Sequence, residues 1–204
     1  MYARSTTIRG RPDAIDECIA FIRDEVQPAV TELDGCLGLS LVVDRASGRC
    51  IATSAWETEE SMVFAGDVVS EYRARASEIL GGEPEVDRWE VALMHRAQHA
   101  RAGACCRIAW ARPQDLPAML EWFRSIVLPR IEGFGGFCSV SVFFDRLDRR
   151  ICTTTTFDSR AALDSSRESA AMLREHAVRE TGVAFLEVAE FELALAHLRM
   201  PELV

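Results

Sequence analysis

The stretch VVDRASGRCIATSAW (Val42–Trp56) brings together an Asp-Arg pair, a glycine, a cysteine, hydroxyls and a tryptophan. Its composition suggests a reactive site, but its pattern is two apolar runs around a polar turn. The stretch VFFDRLDRRICTTTTF (Val142–Phe157) decides between these. With a shift of 101 residues, Asp44-Arg45 falls on Asp145-Arg146, Arg49 on Arg150, Thr53 on Thr154 and Trp56 on Phe157. The cysteine does not recur, since Cys50 falls on Ile151. What recurs is turn chemistry, because an Asp carboxylate accepts N–H bonds from the backbone just beyond it. The stretch is therefore read as a hairpin that the fold uses twice. Trp56, aromatic in both copies, is the one residue in it kept as a ligand contact.

The same shift extends outward, aligning the chain without a gap from about residue 3 to residue 82. Ile15, Cys18, Ile19, Ile22, Val26 and Val30 fall on Leu116, Met119, Leu120, Phe123, Val127 and Ile131. Both sets follow the spacing of one helical face, predicting helices over Asp13–Leu33 and Gln114–Gly133. Pro12 and Pro113 suit a first turn, whereas Pro28 and Pro129 predict a kink or an early end. The apolar runs Cys36–Val43 and Arg49–Trp56, and Phe137–Phe144 and Arg150–Phe157, read as antiparallel hairpins. Second helices are expected over Glu59–Leu80 and Arg160–Thr181, each stopped by glycine. Starting strands at Ala3–Arg9 and Ala104–Ala111 and final strands at Glu85–Met94 and Ala184–Ala194 complete each half.

Each half thus reads β-α-β-β-α-β, the ferredoxin-like order. The expected fold is α+β: two tandem ferredoxin-like repeats, residues 1-97 and 98-204. One such repeat covers a single face of its sheet, so the partner for the other face is encoded in the same chain. The two are expected to form an intrachain pseudo-dimeric α/β barrel; the sequence specifies no assembly beyond that pair.

Composition narrows the functional classes. The net charge is −9, and all 23 cations are arginine, since the chain has no lysine. Such a surface repels phosphate backbones, so nucleic acid is not expected as a partner. Without lysine there is neither a Schiff base nor a Walker lysine. No apolar run reaches the roughly 18–20 residues of a membrane span, and the start MYARSTTIRGRPD (Met1–Asp13) lacks the apolar core of a signal peptide. Seven cysteines without metal-ligand spacing read as buried reduced thiols of a cytoplasmic protein. His95 and His99 have i, i+4 spacing but lie in a polar join and are expected in solvent. His197 is assigned to a tail after the last strand.

The strand-to-helix passage ATSAWETEESM (Ala52–Met62), with its degenerate copy TTTTFDSRAAL (Thr153–Leu163), resembles the dimeric α/β-barrel superfamily, specifically the antibiotic biosynthesis monooxygenase-like group. The resemblance covers nearly the whole chain as tandem copies. It implies a small aromatic or polyketide-like ligand in a pocket between sheet and helices, and cofactor-independent oxygenation. The segment SSRESAAMLREH (Ser165–His176) resembles the haem-degrading branch and puts His176 at the iron-ligand position. That branch's tryptophan position holds Ser166, and asparagine is absent from the chain.

Three functional readings follow: an oxygenase-like enzyme without cofactor, a non-catalytic ligand-binding or scaffold protein of the same fold, and haem binding through His176. His176 is the candidate catalytic group. Trp56, Tyr72, Trp89, Thr154, Thr156, Phe157, Ser166 and Ser169 are the candidate ligand contacts. Trp122 reads as plain core packing. Ala65, Val68 and Val69 become Ser166, Ser169 and Ala170 in the second copy, facing either Thr153 and Thr155 or Thr154 and Thr156, so the second half is expected to hold the better pocket.

Overall fold

The computed structural model describes residues 1–198 and Leu203. Among the described residues there are eight strands, with helices following β1, β3, β5 and β7: β1 (Tyr2–Arg9), β2 (Cys36–Asp44), β3 (Arg49–Trp56), β4 (Pro84–Arg96), β5 (Cys105–Arg112), β6 (Phe137–Asp145), β7 (Arg150–Phe157) and β8 (Ala184–Leu198). They hydrogen-bond in the order β1-β3-β2-β8-β5-β7-β6-β4, a closed barrel. The fold is thus the expected α+β tandem of two ferredoxin-like halves. β8 runs through His197, which pairs with Leu39 rather than lying in a tail.

The compact units do not coincide with the two repeats. One consists of Met1–Glu90 joined by the end of β8 from Glu192, and the other is centred on Val91–Phe191. In the first, β1 lies between β3 and β4, and β2 lies between β3 and β8. In the second, β7 lies between β5 and β6.

Pro28 and Pro129 do not end their helices. α1 (Ile15–Phe21) passes into a π-helical turn, Ile22–Val26, and resumes as α2 (Gln27–Thr31). The copy does the same through α5 (Leu116–Trp122), Phe123–Val127 and α6 (Leu128–Glu132). A proline removes one donor, and the widened turn reconnects the ladder before it: Gln27 N donates to the Ile22 carbonyl and Leu128 N to that of Phe123.

The second helices are each divided near their start. α3 (Glu59–Phe64) gives way to α4 (Gly66–Leu80), and α7 (Arg160–Ser165) to α8 (Arg167–Thr181). Thr58 and Ser159 cap the first pieces by accepting from Ser61 N at 3.1 Å and Ala162 N at 3.2 Å. Gly81 and Gly182 end the long pieces with φ of 72° and 66°. The helical stripes pack on the sheets as read, with Ile15, Val26, Val30 and Leu41 in one core and Phe123, Val127, Ile131 and Val142 in the other.

The repeat is not gapless at its first strand. Arg4 lies opposite Ser54 on β3, and Arg107 lies opposite Thr155 on β7. Ser54 and Thr155 are 101 apart, so Arg4 corresponds to Arg107 and the first strands are related by 103. The first copy has two more residues, Gly10-Arg11, between strand and helix. Gly10 N donates to the Gly48 carbonyl at 3.0 Å, so this longer connection seats on the β2–β3 turn.

Both turns are held by their aspartates, as the repeat implied. Asp44 accepts from Ala46 N at 3.0 Å and Ser47 Oγ at 2.5 Å, and Asp145 from Leu147 N at 2.9 Å and Asp148 N at 3.2 Å. None of the seven cysteines is in a disulfide. Among the described residues no cluster could hold a metal ion, and no helix is long and apolar enough to cross a membrane.

Candidate functional site

Each unit has a cavity between its sheet and its helices, built from equivalent positions. In the second unit it measures about 110 Å³. Its walls include Trp122 and Phe123 from the first helix, Thr153 and Thr155 from β7, and Ala170 and Arg174 from α8. In the first unit the cavity is about 60 Å³. Ile22, Ala52, Ser54, Val69 and Arg73 occupy the corresponding places, with Tyr72 where the second unit has Leu173. Ala170 in place of Val69 is one local reason for the larger space. The π-helical turns form part of both walls through Ile22, Val26, Phe123 and Val127.

A buried arginine on the first strand of each repeat projects into each cavity. Arg107 is 6% exposed. Its Nη1 donates to Ser166 Oγ at 2.9 Å, and its Nη2 to the Leu163 carbonyl at 3.0 Å. Nη2 also lies 3.0 Å from Glu190 Oε1 on β8. Arg160 and Arg167 hold the same carboxylate from α7 and α8, through Oε2 at 3.1 Å and 2.5 Å. Burial raises the Glu190 carboxyl, but hydrogen bonds from Arg167 and Arg107 outweigh it and leave the group below the usual carboxylate range.

Arg4 is 4% exposed, and its Nη2 donates to the Met62 carbonyl, the position equivalent to Leu163. Its remaining surroundings differ. Ala65 stands where the second copy has Ser166, and Arg88 lies directly across from Arg4 on β4. Arg4 Nη1 is buried and has no hydrogen-bond partner. Burial, then Arg73 and Arg88, lower the Arg4 guanidinium from its usual range; Arg73 is lowered by burial and Arg88.

The sequence candidates separate into three groups. Tyr72 lines the first cavity and packs near Phe21, with ring centroids 6.3 Å apart. Ser166 is fixed beneath Arg107 and donates to the Leu163 carbonyl at 2.7 Å, and Phe157, fully buried, lies 6.0 Å below the Arg107 guanidinium.

The second group faces elsewhere. Trp56 is fully buried and donates to Ser54 Oγ at 3.0 Å, while Trp89, 2% exposed, donates to Ser5 Oγ at 2.8 Å. Neither lines the first-unit cavity. Thr154 and Thr156 point away from the second-unit cavity, since alternate strand residues face opposite sides and Thr153 and Thr155 line it.

His176 and Ser169 form the third group and lie on an open surface groove with Arg130, Met172 and Arg179. The His176 ring stands edge-on to Trp122 at 5.5 Å; Nδ1 is 3.3 Å from Arg130 Nη1 and Nε2 3.5 Å from Glu180 Oε1. Both ring nitrogens of His176 are thus flanked by side chains, in a groove of about 570 Å³. Trp122, read as packing, is a cavity wall. His95 is not in open solvent: its Nε2 is 2.7 Å from Glu132 Oε1 and its ring stacks on Phe137.

Sequence reasoning missed the arginines. Arg73 and Arg174 recur in register and carried a signal, whereas Arg4 and Arg107 were hidden by the two-residue shift of the first strand.

The chain matches no protein-family model. It is 49% identical to the uncharacterized protein Rv2557 of Mycobacterium tuberculosis H37Rv, over all of this chain and 92% of that one. It is also 49% identical to Rv2558 of the same strain, over all of this chain and 88% of that one. Among solved structures it resembles a "putative monooxygenase" from Lactobacillus acidophilus NCFM, with a TM-score of 0.71 and 9% identity, covering 97% of this chain and 96% of that one. A ferredoxin fold protein of Listeria monocytogenes 4b F2365, related to antibiotic biosynthesis monooxygenases, superposes with a TM-score of 0.54 at 8% identity over 94% of each chain. The heme-degrading enzyme LmHde of Listeria monocytogenes superposes with a TM-score of 0.56 at 9% identity, covering 95% of this chain and 99% of that one. This chain belongs to the family of Rv2557 and Rv2558, and its fold is the dimeric α/β barrel of monooxygenase-like proteins, carried as two copies in one polypeptide.

Proposed function

We propose that the second unit binds a small, single-ring aromatic molecule in the cavity beneath α8, without turnover by a residue of that cavity. One observation carries the reading: about 110 Å³ bounded by Trp122, Phe123, Phe134 and Phe185, with the hydroxyl-bearing Thr153 and Thr155 on one wall. Planar rings gain from edge and face contacts with such walls, and a few placed polar groups set orientation. A cavity of about 150 Å³ holds benzene, so this one, somewhat smaller, limits the ligand to a single small ring and excludes a fused polyketide. The ionisable lining groups are Arg107 and Arg174, and a guanidinium is a poor general base.

Oxygenation of the bound ring is a second reading, favoured by the fold shared with monooxygenase-like proteins. Titration of phenol, catechol and resorcinol followed by Trp122 fluorescence tests binding, with Trp122→Phe as the control for the reporter. Saturable quenching that disappears in Trp122→Phe is expected. No saturable response to any of the three, also by calorimetry, overturns the proposal. Oxygen uptake above the buffer rate with a bound phenol would select the oxygenase reading.

A further inference from the structure

We infer that the first unit carries a separate binding site for a small apolar monocarboxylate, with its carboxylate on Arg4, Arg73 and Arg88 and its carbon skeleton in the adjoining cavity. Two equivalent sites within one chain differ in how the buried arginine is partnered. In the second unit the buried guanidinium of Arg107 is satisfied by a hydroxyl and a carboxylate, Ser166 and Glu190. In the first unit both are replaced: the hydroxyl position is Ala65, and the residue directly across from Arg4 is the cation Arg88. Arg4 Nη1 is left buried without a hydrogen-bond partner. A buried, unpartnered charged donor is costly. Losing the hydroxyl and carboxylate partners while keeping the arginine, with only Nη2 held by the Met62 carbonyl, leaves room for an acceptor from solution.

The neighbouring groups reinforce the sign. Arg73 on α4 lines the same cavity and is held by Thr6 Oγ1 at 3.3 Å. Burial, then Arg73 and Arg88, lower Arg4, and burial, then Arg88, lower Arg73. Among the described residues no carboxylate pairs with any of the three. An anion entering beside Arg73 and Arg88 would relieve this repulsion and supply the acceptor that Glu190 gives Arg107.

The remainder of the wall specifies the tail. Ile22, Val26, Leu41, Val69 and Leu80 are apolar, and Tyr72 presents its ring. About 60 Å³ suits a short or branched chain of a few carbons and is too small for an aromatic ring by comparison with the benzene-sized case. Inorganic anions share the head-group chemistry but gain nothing from this wall. The two cavities therefore differ in ligand class, neutral ring against small acid, and each can be tested without the other.

Isobutyrate, isobutyramide, formate and phosphate are the probes, titrated calorimetrically into the full chain at low salt. Saturable one-to-one binding of isobutyrate is expected, with isobutyramide, formate and phosphate at least tenfold weaker. Arg73→Leu should weaken isobutyrate at least tenfold. Ala65→Ser with Arg88→Glu, which rebuilds the second unit's arrangement, should weaken it similarly and raise the melting temperature. Both variants should bind phenol as the unaltered chain does, separating this site from the second-unit cavity. The inference is overturned by no isobutyrate binding at 10 mM, by equal binding of isobutyramide or phosphate, or by unchanged affinity in Arg73→Leu of unaltered melting temperature.

Discussion

The Glu190 carboxylate lies 3.0 Å from the Arg107 guanidinium and is held from the other side by Arg167 at 2.5 Å, so one acid on β8 ties the first strand of the second repeat to its divided helix. Arg107 is almost completely buried and Glu190 partly so, with side-chain exposures of 7% and 19%. Removing one partner of a buried pair strands the other, at a cost of about 3 kcal/mol. Glu190→Gln should lose up to that much in urea-induced unfolding at pH 7, since Arg107 keeps Ser166 and the Leu163 carbonyl. Arg160→Gln should lose far less, because its side chain is half exposed and Glu190 keeps its other partners.

The same carboxyl sets an acid dependence. Its folded value lies below the ordinary carboxylate range, held there by Arg167 and Arg107 against burial. A depressed carboxyl contributes stability that is fully present above its unfolded value and is lost as the pH falls through the folded value. The unaltered chain should therefore lose stability steadily below about pH 4.3, the ordinary glutamate value. In Glu190→Gln the slope of unfolding free energy against pH in this range should be visibly smaller. Equal slopes would remove Glu190 as a source of the acid dependence.

The hairpin turns were the most legible part of the fold, because Asp44 and Asp145 fix a local geometry that needs no distant partner. The arginine sites were less legible, and for a physical reason. A gapless shift is kept by helices and hairpins, whose spacing cannot change without turning a face. The strand-to-helix connection can absorb two residues at the surface, and it did so at Gly10-Arg11, moving Arg4 out of register with Arg107. Thr153 and Thr155 could not be told from Thr154 and Thr156, since a run of four threonines carries no alternation. Trp122 sits beside Phe123 in the helical stripe, and a cavity wall and a packed core use the same apolar pattern.

The two turns also differ in backbone strain. Gly48 has φ of 71°, and the equivalent residue in the second repeat is Arg149, at 50°. A side chain in this region costs about 1–2 kcal/mol, partly offset by the greater unfolded freedom of glycine. Arg149→Gly should raise stability by up to about 1 kcal/mol in urea unfolding. Gly48→Ala should do the reverse and more, because its Cβ would overlap the Gly10 carbonyl of the longer connection. If Arg149→Gly destabilised the chain, the side chain's own contacts would outweigh the backbone term.

His176 distinguishes the surface groove from the cavity. It lies on the groove with Ser169 and stands edge-on to Trp122, whose opposite role is to wall the cavity. His176→Ala should leave phenol affinity within about twofold, which is roughly 0.4 kcal/mol. It should cost no more than about 1 kcal/mol of stability, the range of a single aromatic contact. Haem titration should give the same spectrum for His176→Ala as for the unaltered chain. A Soret band that required His176 would instead place a haem in the groove, with Arg130 and Glu180 displaced from the ring nitrogens.

The sharpest test of the second-unit cavity fills it from a position already used in the first. Ala170 lines that cavity, and the equivalent residue of the smaller cavity is Val69. Ala170→Leu would place three more carbons on α8 facing the ring site, in space that is vacant rather than packed. Filling a void ordinarily stabilises, by about 0.8 kcal/mol per buried methylene when no strain results, whereas insertion into a packed core costs about 1–3 kcal/mol. The variant should therefore unfold at an unchanged or higher urea midpoint and bind phenol at least tenfold more weakly. Its isobutyrate affinity should be unchanged, since that site is built from the other repeat. Loss of both ligands together would instead mean that the two cavities do not act separately.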